Sequence, residues 1–338
     1  MRATLLNGPG DISVAEVEDP RIVEPTDAVV RLSLSCVCGS DLHNYRGRRQ
    51  FKAPQRIGHE FCGVVSEVGD RVTQVKVGDF VVGPFFSCCN KCDNCRAGFQ
   101  SACRTVQMFA DGCQAESLRV PQADGTLVTV ADPAPELIPS LLACSDVMGT
   151  GWHAAKMANV GPGQTVAVVG DGAVGLCGVI AAKQLGAERI IISSRYADRS
   201  ALARDFGATD VLTERGEEFA DRVRELTDGR GADAVLECVG TAQALLQACA
   251  TARPGSIVGF VGVPVGVKVE LEPFFRRNIG LRGGMAPVRE YLPELIELVR
   301  AGTIDPGRVF DVTMPLAEVA EAYKAMDERR AIKVALTV

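Results

Sequence analysis

One stretch, GPGQTVAVVGDGAVGLCGVIAAKQLGAERIIISSR (161–195), constrains the fold more than any other part of this 338-residue chain. An apolar strand over 165–169 runs into a glycine turn, a helix follows over about 172–185, and a second apolar strand covers 189–193. A strand–helix–strand crossover of this kind implies a parallel sheet. The alternation continues with a polar helical stretch at 198–206 and strands at 211–213, 233–240 and 256–262, so the reading is α/β with a doubly wound sheet.

Before this stretch the texture is different. AVVRLSLSC (28–36), GVVSEVG (63–69) and DFVVGPF (79–85) are short β-rich runs broken by Gly, Pro and Asp, which argues for a barrel-like or sandwich-like unit. Beyond Gly284 the rhythm is lost. PELIELVRAG (293–302) and EVAEAYKAMDERR (318–330) read as amphipathic helices and IKVALTV as a closing strand. From the residues alone this tail could extend the sheet or fold back onto the first unit. The length fits two domains, and 47% hydrophobic residues let both bury a core. Thirty-six Lys+Arg against 42 Asp+Glu, with no basic run, argue against nucleic acid as a partner. No segment has the apolar length of a membrane span and the start lacks a signal-peptide pattern, so a soluble, cytoplasmic protein is expected.

Cysteine placement carries the next step. Five of the 13 cysteines fall between Cys88 and Cys103. Cys89, Cys92, Cys95 and Cys103 are spaced C-x2-C-x2-C-x7-C with polar residues and glycine between them, and four thiolates that close can converge on one ion as a structural zinc site. Disulfides are the alternative, disfavoured in a cytoplasmic chain. Cys88 breaks the spacing and reads as a spare thiol. Upstream stand Cys38-Gly39-Ser40-Asp41-Leu42-His43 and Gly58-His59-Glu60-Phe61-Cys62-Gly63, where a thiolate and an imidazole from separate turns are ingredients of a catalytic zinc with an open position.

CGSDLH, GHEFCGVV, the four-cysteine lobe and GDGAVG, in that order, resemble the zinc-dependent medium-chain alcohol dehydrogenase/reductase family. The resemblance implies a GroES-like catalytic domain over 1–146 plus 287–338, with its zinc lobe at about 88–103, and a Rossmann domain over 147–286. It implies Cys38 and His59 as catalytic zinc ligands. Ser40 would receive the substrate hydroxyl proton and His43 would pass it toward solvent. Asp41 would orient His59, and Glu60 would sit beside the metal and exchange with its water. The third protein ligand varies in that family between Cys, Glu and Asp, and Cys144, Asp146 and His153 are candidates. The match of DVMGTGWHAA to D-x-x-x-T-G-[FWY]-H-x-A favours Asp146 and puts Thr150 near the nicotinamide. Cys144 then reads as a packed thiol and His153 as a hydrogen-bonded structural group on the first turn of the next helix.

Gly170-Asp171-Gly172-Ala173-Val174-Gly175 follows a strand and opens a helix, the context of a dinucleotide fingerprint in which amides and helix dipole bind pyrophosphate. An acid about 20 residues on would accept the NAD 2′-hydroxyl. This chain has Ser193, Ser194, Arg195, Tyr196 and Arg199 there instead, hydroxyls and guanidiniums suited to a phosphate, so NADP(H) is expected. The competing reading pairs the two arginines with Asp198 or Asp205 as surface charges. The resemblance further implies Cys238, Val239, Gly262 and Val263 along the nicotinamide and Lys333 near the pyrophosphate, with Tyr45, Phe85, Trp152 and Met285 lining the substrate pocket.

The expected activity is alcohol–carbonyl interconversion with NADP(H), one catalytic and one structural Zn2+ per chain, chemistry in the cleft between the domains, and a homodimer or homotetramer by family analogy. A polyol, sugar or amino-alcohol dehydrogenase is the runner-up within the class. A reductase that dispenses with zinc and a non-catalytic NADPH-binding protein are the rivals outside it.

Overall fold

The computed structural model describes residues 1–109 and 112–338. The chain divides into two units, Met1–Gly149 with Pro287–Val338, and Thr150–Ala286. The first boundary falls at Gly149, inside helix Val147–Met157.

In the first unit, strand Ala28–Cys36 is the hub. Val30, Leu32 and Leu34 are buried while Arg31 and Ser33 are exposed, the period-2 signature of a half-covered strand. It pairs antiparallel with Phe61–Val68, with Ser117–Val120 along its first half, and with Val334–Thr337 at its end. The last of these resolves the open question about the tail. Val334–Thr337 also runs parallel to Val312–Pro315, so the C-terminal segment completes the first unit. Helix Val319–Asp327 buries Val319, Ala322, Tyr323 and Met326, an i, i+3, i+4, i+7 stripe packed with Leu6, Leu42 and Leu336. The helix expected at 293–302 starts earlier, at Val288, and carries Pro293 in its interior. Proline suits a first helical turn, yet buried Val288 and Leu292 extend the apolar face upstream of it.

Register in this sheet decides where the chemistry sits. Ser35 pairs with Phe61 and Ala335 with Cys36. Residues just past 36, just before 61 and just before 334 therefore emerge at one sheet end, and these include Cys38, His59, Glu60 and Lys333.

The second unit holds a six-stranded parallel sheet in the order Asp210–Leu212, Arg189–Ser193, Thr165–Val169, Ala232–Glu237, Ala252–Phe260, Gly280–Gly283. The strand order reverses at Thr165–Val169, and the fingerprint turn leaves its carboxyl end, where open α/β sheets bind ligands. Its near-continuous apolar strands are what a sheet covered on both faces requires. No helix among the described residues is long and apolar enough to cross a membrane.

His153 lies in the middle of helix Val147–Met157, not on a first turn, and is 2% exposed. Burial, with Arg282 nearby, lowers its pKa from 6.5 to about 4. The unfolded chain binds this proton at a higher pH than the fold, so the stability the neutral ring contributes is full above pH 6.5 and is lost as pH falls toward 4. The loss is on the order of 3 kcal/mol. We expect His153→Phe to flatten the acid limb of the Tm–pH curve between those values relative to wild type; parallel curves would contradict it.

Candidate metal and dinucleotide sites

Cys38, His59, Glu60 and Asp146 each offer a ligand atom, all within 4.8 Å of one another. Strand Ala28–Cys36 delivers Cys38, the turn before Phe61–Val68 delivers His59 and Glu60, and Asp146 stands between helices Ile138–Cys144 and Val147–Met157. The Asp146 carboxylate is 3.7 Å from Cys38 Sγ and 3.2 Å from His59 Nε2. His59 Nδ1 lies 3.2 Å from Asp41 Oδ1, which fixes the tautomer that leaves the Nε2 lone pair facing Cys38 and Asp146. Burial alone would push the imidazole's pKa down, but Asp41, Cys38 and Asp146 outweigh it and hold it well above the usual value. The same neighbours that favour positive charge on the ring would favour a cation beside it.

Glu60 is 1% exposed, and its Oε1 accepts from Lys333 Nζ at 2.6 Å while Oε2 has no partner. An unpartnered buried carboxylate oxygen is costly. It is accounted for if a cation completes the cluster. The donor set, one thiolate, one neutral imidazole and carboxylates with one lysine compensating, suits a divalent zinc. Asp41 is itself held: Oδ2 accepts from Cys38 N at 3.0 Å and from Gln114 Nε2 at 3.3 Å, and Gln114 bonds to the Tyr323 hydroxyl. Gln114 and Tyr323 escape a reading of the sequence because neither residue type nor spacing signals metal support.

Lys333 is tied to the metal cluster within its own unit. Register places it at the metal end of the first unit, where its ammonium, 1% exposed, donates to Glu60 Oε1 and to Val37 O at 3.2 Å. Those acceptors and nearby thiols overcome burial and raise its pKa well above the usual value.

Ser40 Oγ is 3.3 Å from His59 Nε2. His43 follows on helix Asp41–Tyr45, with its Nδ1 buried and unpartnered. Burial and then Arg49, Arg48 and Arg46 lower its pKa, which keeps the ring neutral and able to accept a proton. Phe85 stands edge-on to His59 at 6.2 Å between ring centroids. Tyr45 packs against Tyr323 at 5.3 Å between ring centroids. Cys144 is fully buried and burial raises its pKa, as befits a packed thiol.

The four-cysteine lobe closes the same way. Cys89, Cys92, Cys95 and Cys103 form the second group of converging donors, with Sγ–Sγ separations of 3.5 Å for Cys92–Cys95 and for Cys89–Cys103. All thirteen cysteines are free thiols. The Arg104 and Cys95 amides lower the pKa of Cys92 to about 6, and amides of Cys89 and Thr105 point at Cys103 Sγ, the pattern of a site built for thiolates. Four sulfurs and no open position fit a structural zinc. Cys88 stays outside, buried, with its thiol donating to Gly125 O.

In the second unit the fingerprint glycines have separable roles. A Cβ on Gly175 would lie 1.9 Å from Gly170 O, whereas one on Gly172 would meet nothing within 4 Å. Gly175 thus permits the helix to close on the turn, and Gly172 leaves a backbone face open to a ligand. Helix Ala173–Gln184, which starts at Ala173 and Val174, has no side-chain cap, so its first amides are available to an anion. Thr150 is buried on helix Val147–Met157 with Trp152, while Met285 is half exposed. Cys238 N donates to Val169 O at 3.0 Å, and Glu237 collects the amides of Val239 and Gly240. Gly262 packs on Gly240, which sets the Cys238–Val239 and Gly262–Val263 turns side by side.

At the strand end, Ser193 Oγ donates to Glu214 O and exposed Arg195 to Thr213 O. Arg199 is buried. It pairs with Asp171 of the glycine turn, at 3.7 Å, and its Nη1 donates to Asp171 O at 3.2 Å.

A sheet-borne thiolate–imidazole–carboxylate cluster in one unit and a dinucleotide fold in the other define a metal-binding dehydrogenase class. Residues 24–132 match the alcohol dehydrogenase GroES-like domain and residues 173–301 the zinc-binding dehydrogenase domain. Zinc-type alcohol dehydrogenase B of Aspergillus flavus is 34% identical over 99% of this chain and 80% of its own length. The structure of an alcohol dehydrogenase from Thermus sp. ATN1 superposes with a TM-score of 0.92 at 33% identity, covering 100% of both chains. An NADP-bound zinc-binding dehydrogenase from Sinorhizobium meliloti 1021 gives 0.85 at 28% identity, covering 100% of this chain and 99% of its own. The chain belongs to the zinc-dependent medium-chain alcohol dehydrogenase/reductase family and is a zinc-dependent, alcohol dehydrogenase-like oxidoreductase.

Proposed function

We propose that the protein interconverts an alcohol and an aldehyde or ketone with NADP(H), using one catalytic zinc held by Cys38, His59 and Asp146 and one structural zinc held by the four-cysteine lobe. What supports this most is the convergence of those three donors beside an unpartnered Glu60 oxygen. When bound, zinc supplies Lewis acidity to the substrate oxygen and the nicotinamide supplies or takes the hydride. Ser40 holds the substrate hydroxyl and takes its proton. His43, kept neutral, receives that proton at Nδ1 and releases it toward solvent. Asp41 fixes the His59 ring through Nδ1. The amides at Gly172, Ala173 and Val174 bind the pyrophosphate, and Thr150, Cys238, Val239, Gly262 and Val263 flank the nicotinamide. Assembly as a homodimer or homotetramer belongs to the same proposal.

Ser193, Ser194, Arg195 and Arg199 favour a 2′-phosphate because no acid occupies the strand end. KM for NADPH should be lower than for NADH, and Arg195→Asp should narrow or reverse that order. A clear NADH preference in the wild type would reject the phosphate reading. Screening alcohols, polyols and carbonyls by NADPH absorbance tests the activity itself, and a protein with two zinc ions but no turnover on any of them would contradict it.

A further inference from the structure

The strand end lacks an acid, yet the glycine turn supplies one to the same place. Asp171 is 8% exposed; its Oδ2 accepts from Ser194 Oγ at 2.9 Å, and its Oδ1 and carbonyl oxygen both engage Arg199 Nη1. Ser194 is fully buried and Arg199 is 8% exposed, its guanidinium 5.3 Å from the Tyr196 ring centroid. Two of the four groups suited to a 2′-phosphate are thus already engaged by an anion of this chain. Ser200 Oγ donates to Ser194 Oγ at 3.2 Å, so the serine's acceptor side is in use as well.

We propose that Asp171, the second residue of G-D-G-A-V-G, sets dinucleotide selectivity by holding Ser194 and Arg199 against a 2′-phosphate. A 2′-phosphate entering here competes with the carboxylate for both groups and is repelled by it, whereas a 2′-hydroxyl donates to a carboxylate without penalty. Asp171 therefore holds down the NADP(H) preference that Arg195 and Arg199 create, and the enzyme accepts both dinucleotides with modest discrimination. The inference deepens the NADP(H) reading and rests on the same strand-end site.

The test uses the full-length zinc-loaded protein with 2′,5′-ADP and 5′-AMP as probes, which read the ribose site without any substrate. Asp171→Asn keeps the shape and one acceptor for Ser194 while removing the charge. We expect its Kd for 2′,5′-ADP to fall roughly tenfold, the scale of one nearby charge at partial burial, while Kd for 5′-AMP changes less than about twofold. In Asp171→Asn with Arg199→Gln the gain should vanish, because the guanidinium no longer neutralised by the Asp171 carboxylate is its source. A 2′,5′-ADP affinity unchanged or weakened in a variant that melts like wild type overturns the proposal. Should Asp171→Asn fail to fold, Asp171→Ser decides by the same ratio. A wild type that binds 5′-AMP better than 2′,5′-ADP sinks the NADP(H) reading, yet a tenfold shift of the ratio on removing the charge still supports the role of Asp171.

Discussion

His59→Ala is expected to lower kcat by at least about a thousandfold, the scale on which losing one electrostatic stabiliser of a transition state is felt, and to leave nucleotide affinity within about twofold. The asymmetry follows from where the ring sits. His59 belongs to the first unit, with Nδ1 on Asp41 and Nε2 3.2 Å from Asp146, and the fingerprint glycines belong to the second. Removing the ring deletes a metal donor and leaves Asp41 and Asp146 as facing acids without the group that joins them. Metal analysis of the variant should show one zinc per chain retained by the lobe. Turnover near the wild-type rate would show that the chemistry does not need this cluster. Equal loss of nucleotide binding would show that the variant damages the fold, a point its melting curve settles.

Gly175→Ala should do the reverse. The added carbon would sit 1.9 Å from Gly170 O, a backbone atom that cannot swing aside, so the helix must lift from the turn whose amides bind pyrophosphate. We expect nucleotide affinity to fall at least about a hundredfold, equivalent to roughly 3 kcal/mol, while both zinc ions stay bound. Gly172→Ala is the internal control for geometry. Its Cβ meets nothing in the protein, so the free protein should melt like wild type and lose affinity only when ligand is present. Calorimetric titration with NADPH reads both variants; wild-type affinity in Gly175→Ala would contradict the close-packing argument.

What the sequence disclosed follows the range over which each signal acts. The parallel sheet was legible because each strand and helix announces itself within about ten residues, and the four-cysteine lobe because its donors lie within 15 residues of chain. Cys38, His59 and Asp146 were singled out through a resemblance of motifs; strand register brings Cys38 and His59 to one sheet end, and the junction of helices Ile138–Cys144 and Val147–Met157 brings Asp146 to them. What stayed hidden depends on register and on pairs far apart in sequence. Gln114 reaches Tyr323 across 209 residues and Lys333 reaches Glu60 across 273, contacts no local pattern encodes. Asp171 lies inside the fingerprint, and only the contact of its carboxylate with Ser194, 23 residues away, shows that the turn provides the strand end with an acid.

The central claim is that Cys38, His59 and Asp146 share one ion, separate from the ion of the lobe. Anomalous-difference maps collected on either side of the zinc edge, from crystals of the zinc-loaded protein, test it most directly. The account predicts two peaks per chain, one among Cys89, Cys92, Cys95 and Cys103 and one flanked by Cys38 Sγ, His59 Nε2 and an Asp146 carboxylate oxygen. A single peak in the lobe, with those three side chains pointing apart, would contradict it.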